Sequence, residues 1–298
     1  MNYIALDIGG TAIKAAIIDE KGTIIEKSSR PTPLTNLDDL IERLVAIVKW
    51  AMSITPIAGI AVSQPCVTDA LTGQALSGGA LGYIQWTNPA KILGEIFNLP
   101  YTAENDGNCA ALAEIWIGNA KGINDLALVV CGTGIGGSVI VDKKIITGHR
   151  KFAGEFGFFI TGFEPDGTPI IWSANGSTLA LVKAYSKRSG KDVATLDGKI
   201  VFDLAETGDP DAAICVQNFY RIFAYGLHNI QHVCDPERIL IGGAVSNRPD
   251  FIDRIVSELD TLYEQVGGYM SGPTIVRCAC GSDANLIGAV YHLINYPI

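Results

Sequence analysis

The start of the chain alternates short apolar segments with glycine-containing and polar turns. Residues 3–8 and 12–19 are rich in Ile and Ala, and they flank Gly9-Gly10-Thr11. Two such segments around a glycine turn predict a β-hairpin. A third strand is predicted over residues 23–28.

Beyond this hairpin, apolar residues recur at helical spacing from Leu37 to Val48. Asn36 stands directly before this segment, and Asp39 follows Asn36 by three residues, which is the pattern of an N-capped helix. Other segments show the same two periodicities. Strands are predicted over 57–62, 126–131, 138–142 and 238–241, helices over 89–97, 109–117, 177–188, 201–206, 211–233 and 251–265, a loop over 162–169, and a strand-like run around 278–280.

Two hairpins in the chain resemble each other. Residues 3–19 align without gaps with residues 126–142, each being a strand, a glycine turn, a second strand and an Asp. The alternation of strands and helices indicates an α/β protein. The repeated hairpin favours two similar halves. A chance resemblance between two hairpins is the alternative.

Composition narrows the class of protein. Hydrophobic residues make up 48% of the chain and charged residues 18%, which is typical of a folded globular enzyme. The net charge of −9 argues against binding to nucleic acid or to an anionic membrane surface. No apolar run approaches the length of a membrane span. The N-terminus lacks the pattern of a signal peptide, and the seven cysteines have no regular spacing, so we expect a cytoplasmic protein with reduced thiols.

The second glycine turn contains a formal dinucleotide-binding pattern. Residues 132–137 read Gly-Thr-Gly-Ile-Gly-Gly, which matches G-x-G-x-x-G. That motif binds pyrophosphate only where it opens a helix, whereas residues 138–142 are β-branched and predict a strand. We therefore interpret the turn as a hairpin whose backbone N–H groups can bind an anion.

The first glycine turn carries further polar groups. Asp7 ends the preceding strand, Thr11 lies in the turn and Lys14 follows it, and these groups are suited to Mg²⁺ and phosphate. A third glycine pair, Gly242-Gly243, could lie flat against a nucleotide base. An ordinary turn accounts for any one of these motifs.

Taken together, the motifs resemble the ROK family of sugar kinases and sugar-responsive repressors, and the match runs through nearly the whole chain. The segments that carry the resemblance are residues 7–14, 104–108, 132–137, 153–157, 235–236 with 241–243, and 282–289.

The resemblance implies an α/β, actin- and hexokinase-like fold of two domains with a cleft between them. The expected boundaries are a smaller domain over 1–107, completed by a C-terminal helix over about 285–298, and a larger domain over 108–284. ATP and a sugar would bind in the cleft.

Residue roles also follow from the resemblance. Asp106 would be the catalytic base for the sugar 6-hydroxyl, and its alternative is a loop or helix-capping Asp. The sugar would contact Asn105, Glu155, Gly79 and Ala80. The phosphates would be held by Gly9, Gly10, Thr11, Lys14, Gly132, Thr133, Gly134 and Gly136, with Asp7 near Mg²⁺ and Gly242 and Gly243 near the adenosine.

The chain departs from the family at the position of a zinc-binding histidine. Phe158 stands there, and no cysteine lies between Cys131 and Cys215, so we predict no zinc. Phe158, Phe159 and Trp172 are candidate walls of an altered sugar pocket. His228 and His232 are four residues apart, but without a third ligand we interpret them as packing residues.

These features predict an Mg·ATP-dependent hexose kinase, most similar to the β-glucoside kinases, N-acetylmannosamine kinases and glucokinase-like proteins that lack zinc. A repressor would need a helix-turn-helix before Asp7, for which we expect no room. A sugar-binding sensor without activity is the other alternative. The family favours a homo-oligomer, either a dimer or a tetramer.

Overall fold

A computed structural model of the 298-residue chain describes residues 1–267 and 272–298. The strands are β1 Asn2–Ile8, β2 Ala12–Asp19, β3 Ile24–Pro31, β4 Ile60–Gln64, β5 Thr68–Asp69, β6 Gln74–Ala75, β7 Tyr101–Asn105, β8 Leu126–Cys131, β9 Ile135–Val141, β10 Lys144–Ile145, β11 Ile160–Phe163, β12 Pro169–Ile171, β13 Arg238–Gly242 and β14 Ile275–Arg277. The α-helices are α1 Leu37–Ile54, α2 Pro89–Phe97, α3 Asp106–Trp116, α4 Trp172–Gly176, α5 Thr178–Ser189, α6 Gly198–Glu206, α7 Pro210–Cys234, α8 Phe251–Val266 and α9 Ala284–Asn295.

The chain divides into two compact units. The first consists of Met1–Gly122, Thr147–Phe152 and Ala279–Ile298, and the second of Ile123–Ile146 and Ala153–Cys278. The domain boundary expected at residue 107 falls at the start of α3. The compact unit continues to Gly122 because α3 packs closely on α9 within the first unit.

The first unit is built on a five-stranded sheet in the order β3-β2-β1-β4-β7. β1 pairs antiparallel with β2, as the glycine hairpin predicts, and parallel with β4. Six consecutive residues of β1 are buried, which requires cover on both faces of the sheet. The predicted cap of α1 is confirmed, because the side chain of Asn36 accepts a hydrogen bond from the backbone N–H of Asp39 at 2.9 Å.

The second unit repeats this topology. Its five-stranded sheet has the order β10-β9-β8-β13-β14, with β8 antiparallel to β9 and parallel to β13. The two hairpins that align in the sequence thus occupy corresponding places in the two sheets. In the described residues, no helix has both the length and the apolar character that a membrane span requires.

Two sequence-based assignments in the second half of the chain are wrong. The predicted loop over 162–169 includes the end of β11 and the start of β12, which pair antiparallel as a small hairpin. The pairing continues across a register shift between Ile160 and Gly162. The strand-like run ends at Arg277, so Cys278-Ala279-Cys280 lies after β14 and outside it.

Trp172 belongs to the core of the second unit. Its side chain is fully buried, and its ring stacks on Phe159 and meets Phe223 edge to face. A Cβ atom at Gly226 would lie 2.2 Å from the Trp172 ring, which shows how closely α7 packs against it. Trp172 is therefore a packing residue, and the expectation that it lines a pocket is wrong.

Candidate functional site

Asp7 lies at the end of β1, where the chain enters the first glycine turn. Its carboxylate is 8% exposed, and Oδ1 accepts hydrogen bonds from Ser63 Oγ at 3.0 Å and Asn285 Nδ2 at 3.1 Å. Burial raises the pKa of Asp7, while these two hydrogen bonds and the charge of Lys14 oppose the rise. Lys14 lies directly across the hairpin from Asp7. This donor set fits a hydrated Mg²⁺ bound to phosphate, because Mg²⁺ prefers carboxylate oxygen and keeps several waters.

The first glycine turn contacts the segment that contains Gly79 and Ala80. A Cβ atom at Gly10 would lie 3.2 Å from the Cβ of Ala80. Gly79 has a φ of +51°, and a Cβ atom there would lie 1.6 Å from the carbonyl oxygen of Pro65. Only glycine can bring this segment so close to the loop after β4.

Asn105 and Asp106 lie where β7 becomes α3. Asn105 is the N-cap of α3, since its side chain accepts from the backbone N–H of Asn108 at 3.1 Å. Asp106 is the first helical residue and is half-buried, and its Oδ1 accepts from Gly107 N at 2.8 Å and Asn105 Nδ2 at 3.0 Å. The N-cap is therefore Asn105 and not Asp106, whereas the other part of the alternative, an Asp that satisfies backbone N–H groups, agrees with the hydrogen bond from Gly107.

These residues of the first unit are linked by a chain of contacts. Asn105 Nδ2 donates to the carbonyl oxygen of Cys66 at 3.2 Å, and Cys66 packs under Gly79. Ala80 in turn meets Gly10 in the turn that follows Asp7. The sequence motifs near residues 7, 79 and 106 are thus brought together. The supporting contacts from Ser63 and Asn285 were missed, although Asn285 lies in a quoted motif.

The second glycine turn lies between β8 and β9 in the second unit. Gly132 N donates to the carbonyl oxygen of Gly134 at 2.9 Å, and Thr178 N at the start of α5 donates to the Gly132 oxygen at 3.0 Å. Cβ atoms at Gly132 and Gly136 would meet no other atom within 4 Å, so their backbone faces open space. A strand follows this turn, so it is no dinucleotide-binding fingerprint.

A cavity of about 700 Å³ opens beside this turn. It is mostly apolar, with cationic and polar groups at its rim, and its size suits a nucleoside. Its lining residues are Cys131, Gly132, Thr133, Thr178, Leu179, Val182, Val193, Leu196, Asp197, Gly198, Lys199, Phe202, Ala244, Val245, Asn247 and Arg248.

The third glycine pair lies next to this cavity. Gly243 has a φ of +94°, and a Cβ atom there would lie 2.0 Å from the carbonyl oxygen of Cys131. This close approach lets the chain turn from β13 directly toward Ala244 and Val245. Gly242 packs against Cys278. Among the residues that line the cavity, the sequence predicted only those of the glycine turn. The other lining residues do not form a motif that can be recognised in the sequence.

Glu155 and Phe158 flank a short 3₁₀ turn in the second unit. Glu155 is half-buried, and this burial raises the pKa of its carboxyl group. The side chain of Phe158 is 65% exposed, whereas Phe156 packs in the core. A Cβ atom at Gly157 would lie 2.3 Å from the carbonyl oxygen of Ile135, so this motif is pressed against β9. Both Glu155 and Phe158 are thus available to a ligand.

The histidine pair and the cysteines form no metal site in the described part of the chain. Residues 1–267 and 272–298 contain no group of three or more His, Cys, Asp or Glu residues placed to hold a metal ion. The rings of His228 and His232 lie 4.2 Å apart, and Nδ1 of His232 lies 2.9 Å from the carbonyl oxygen of His228.

The repeated sheet topology and the two glycine hairpins define the actin- and hexokinase-like fold class. The chain belongs to the ROK family, which matches it over residues 3–295. A β-glucoside kinase from Klebsiella pneumoniae is 32% identical over 98% of this chain and 96% of its own length. A glucokinase from Halalkalibacterium halodurans is 27% identical over 96% of this chain and 93% of its own.

A solved structure has the same fold over the whole chain. The structure of a ROK family protein from Streptococcus pneumoniae in complex with sucrose is 33% identical, with a TM-score of 0.89 and coverage of 99% of each chain. The similarity therefore extends to both units.

Proposed function

We propose that the protein is a sugar kinase that transfers the γ-phosphoryl group of Mg·ATP to the 6-hydroxyl of a hexose or hexose derivative. The observation that carries this proposal is the chain of contacts in the first unit, which links Asp106, Asn105, Gly79 and Ala80 to the Asp7 turn. Membership in a family whose relatives include a β-glucoside kinase and a glucokinase supports it.

In this proposal Asp106 is the general base. Its carboxylate takes the proton of the 6-hydroxyl as that oxygen forms a bond to the γ-phosphorus, and the bond from phosphorus to the β,γ-bridging oxygen breaks to release ADP. Phosphoryl transfer depends mainly on positioning and charge stabilisation, so a well-held carboxylate is sufficient. Asn105 and Glu155 would hydrogen-bond the sugar hydroxyls.

The glycine turns would bind the triphosphate. Backbone N–H groups near Gly9, Gly10, Thr11, Gly132, Thr133, Gly134 and Gly136, together with Lys14, would neutralise its charge. Mg²⁺ near Asp7 would neutralise charge that develops on the phosphate oxygens. The adenosine would occupy the cavity beside Gly242 and Gly243.

Among sugars we propose a β-glucoside. The support is the 32% identity to a β-glucoside kinase and the exposed ring of Phe158, an apolar surface against which an aglycone can pack. Glucose and N-acetylmannosamine are the other candidates. We place the enzyme in the cytoplasm as a dimer or tetramer, without structural zinc and without nucleic acid or membrane partners.

The test is ADP release with Mg·ATP across glucose, N-acetylmannosamine, N-acetylglucosamine, mannose, fructose, cellobiose and an aryl β-glucoside. Asp106→Asn should lower kcat by about 10²–10⁴-fold with little change in sugar binding, because only the base is lost. Asp38→Asn, an exposed acid on α1, is the matched control. Sugar binding without turnover of any sugar would favour the sensor instead.

A further inference from the structure

Glu104 lies directly before Asn105 and has no role in the mechanism above. Its side chain is 1% exposed. Oε1 accepts hydrogen bonds from the backbone N–H of Asn105 at 2.6 Å and from Asn108 Nδ2 at 3.1 Å. Glu104 therefore fixes both the end of β7 and the first turn of α3, the two elements that present Asp106.

The second oxygen of Glu104 faces a buried histidine. Oε2 is fully buried without a hydrogen-bond partner, and Nε2 of His292 lies 3.8 Å from it. A carboxylate oxygen in such a place costs free energy, whereas a protonated oxygen could donate toward the ring nitrogen.

A threonine on the same strand contacts the histidine. His292 is 4% exposed on α9, and its Nδ1 lies 2.6 Å from Oγ1 of Thr102, which is fully buried. Thr102 and Glu104 are two residues apart on β7, so both side chains point to one face. If Nδ1 carries the proton and donates to Thr102, the lone pair of Nε2 is left to accept a proton from Glu104.

Burial favours the neutral form of both side chains. Burial raises the pKa of Glu104 to about 7, against hydrogen bonds from Asn108 and Asn105 and the charge of Lys151. Asp69 adds to the rise, and burial lowers the pKa of His292 to about 4.

Two further groups belong to this environment. Cys109, on α3, is fully buried, and this burial raises the pKa of its thiol, with a further rise from the charges of Glu104, Asp7 and Asp106. The thiol therefore stays neutral. Lys151 and Asp69 form an ion pair at 3.7 Å, so much of the Lys151 charge is compensated.

We propose that Glu104 is a positioning residue for Asp106: in its protonated form it places a neutral group against His292 and, through Oε1, holds the strand-to-helix turn in the geometry that the base requires. This inference rests on the proposed function. When Glu104 loses the proton, a second negative charge is buried two residues from Asp106 and the turn is disturbed.

The central test compares Glu104→Gln with wild type. Gln keeps the oxygen that accepts from Asn105 and Asn108, and its neutral amide faces His292, so it imitates the protonated acid at every pH. Wild-type kcat should fall about 10-fold from pH 6 to pH 8 as Glu104 ionises, whereas Glu104→Gln should keep its kcat, with little change in KM. Glu95→Gln, an exposed acid on α2, is the control. Identical profiles for wild type and Glu104→Gln would overturn the proposal.

Two measurements decide the inference without kinase activity. Infrared spectroscopy at pH 6 should show the band of a protonated buried carboxyl in wild type and its loss in Glu104→Gln. Hydrogen exchange at the Gly107 and Asn108 amides should be faster in Glu104→Ala than in Glu104→Gln. No carboxyl band, or equal exchange in the two variants, would refute the inference. If the carboxyl band and the difference in exchange are both observed but the wild-type protein phosphorylates no sugar, the proposed kinase function is refuted instead.

Discussion

Gly79 illustrates at the residue scale how a missing side chain can position a loop. A left-handed conformation costs an L-residue about 1–2 kcal/mol. Here the position of a Cβ atom is also blocked, at 1.6 Å from the Pro65 carbonyl oxygen. Two physical effects therefore require glycine at a position where the sequence suggested only a pocket lining.

Gly79→Ala should raise the KM for the sugar by about 10-fold, which corresponds to 1.4 kcal/mol, and should also lower the melting temperature. The reason is that Pro65 and Ala80 must both move. Steady-state kinetics and thermal unfolding check this. Gly82→Ala is the control, since a Cβ atom there meets nothing within 4 Å. Equal effects of the two substitutions would contradict the prediction.

In the second unit, two glycines allow the cost of a left-handed backbone to be measured apart from the cost of a steric clash. Gly243 and Gly267 have φ values of +94° and +71°, but only at Gly243 would a Cβ atom collide, with the carbonyl oxygen of Cys131. Gly243→Ala should weaken binding of an ATP analogue by about 10-fold. Gly267→Ala should cost only about 1–2 kcal/mol of stability and leave binding unchanged. Calorimetric titration and urea unfolding measure both, and nucleotide binding unaffected by Gly243→Ala would count against the proposed adenosine site.

Single residues were predicted well where a motif was local. The segment around Asp106 and both glycine turns could be found by reading along the chain. The contacts of Asp7 could not, because Ser63 is 56 residues away and Asn285 is 278 residues away. Sequence spacing carries no information about such partners until the sheet order is known.

At the element scale, β7 and α9 are connected by Glu104 and His292, and this pair should affect stability. Because the folded pKa of Glu104 is raised from 4.5 to about 7, the unfolded chain releases its proton first as pH rises. The stabilising contribution of Glu104 is thus present below pH 4.5 and is lost as pH rises through about 7. The contribution of His292 to stability has the opposite pH dependence. Its pKa is lowered from 6.5 to about 4 in the folded protein, so its contribution is lost as pH falls through that range.

Glu104→Gln should remove only the pH dependence that Glu104 contributes to the free energy of unfolding. The free energy of unfolding of the variant minus that of wild type should therefore rise by about 3 kcal/mol from pH 4.5 to pH 7. Urea unfolding at a series of pH values gives this difference curve, and Glu95→Gln supplies the blank. A flat difference curve would show that Glu104 ionises normally in the folded protein.

Elements were predicted where periodicity was strong. The β1–β2 and β8–β9 hairpins and α7 follow the apolar pattern closely. The β11–β12 hairpin was missed because glycine and proline between its strands are equally typical of a loop. The run after Arg277 resembles a strand because apolar residues alternate in it. In the structure, however, the backbone N–H groups of Ala279 and Cys280 donate to Glu114 Oε1, both at 2.8 Å, instead of pairing with a neighbouring strand.

At the scale of the whole molecule, most of the proposed sugar contacts and the cavity assigned to adenosine lie in different units, although Glu155 and Phe158 belong to the second unit and the first glycine turn to the first. The proposed sugar contacts Asn105, Gly79 and Ala80 lie in the first unit, whereas the cavity assigned to adenosine lies in the second. A β-glucoside alone should therefore slow amide hydrogen exchange in segments 77–83 and 104–108. An ATP analogue alone should slow exchange in segments 131–136 and 243–247.

Exchange measured by mass spectrometry at peptide resolution checks this assignment. Free glycerol at the same concentration as the sugar is the control for an unspecific solvent effect. Protection of segments 131–136 by sugar alone, without protection of 104–108, would contradict the assignment of residues to substrates.

The division into units was the part of the fold least accessible from sequence. The repeated hairpin correctly indicated two halves, but α3 follows β7 without a break and gives no sign of the unit to which it belongs. Its membership depends on α9, where a Cβ atom at Gly288 would lie 1.7 Å from the Cys109 carbonyl oxygen. Such a contact is invisible in a linear pattern.

The interleaved order of the two units has a consequence for biosynthesis. The first unit needs α9 to cover β1 and β4, yet α9 follows the entire second unit in the chain. A ribosome adds about 5–20 residues per second. The second unit therefore has all its residues after about 14–56 s of translation, while the sheet that carries Asp7 still lacks α9. The part of the protein that is translated first is therefore completed last, and until α9 emerges the apolar residues of β1 and β4 lack the cover that this helix gives them.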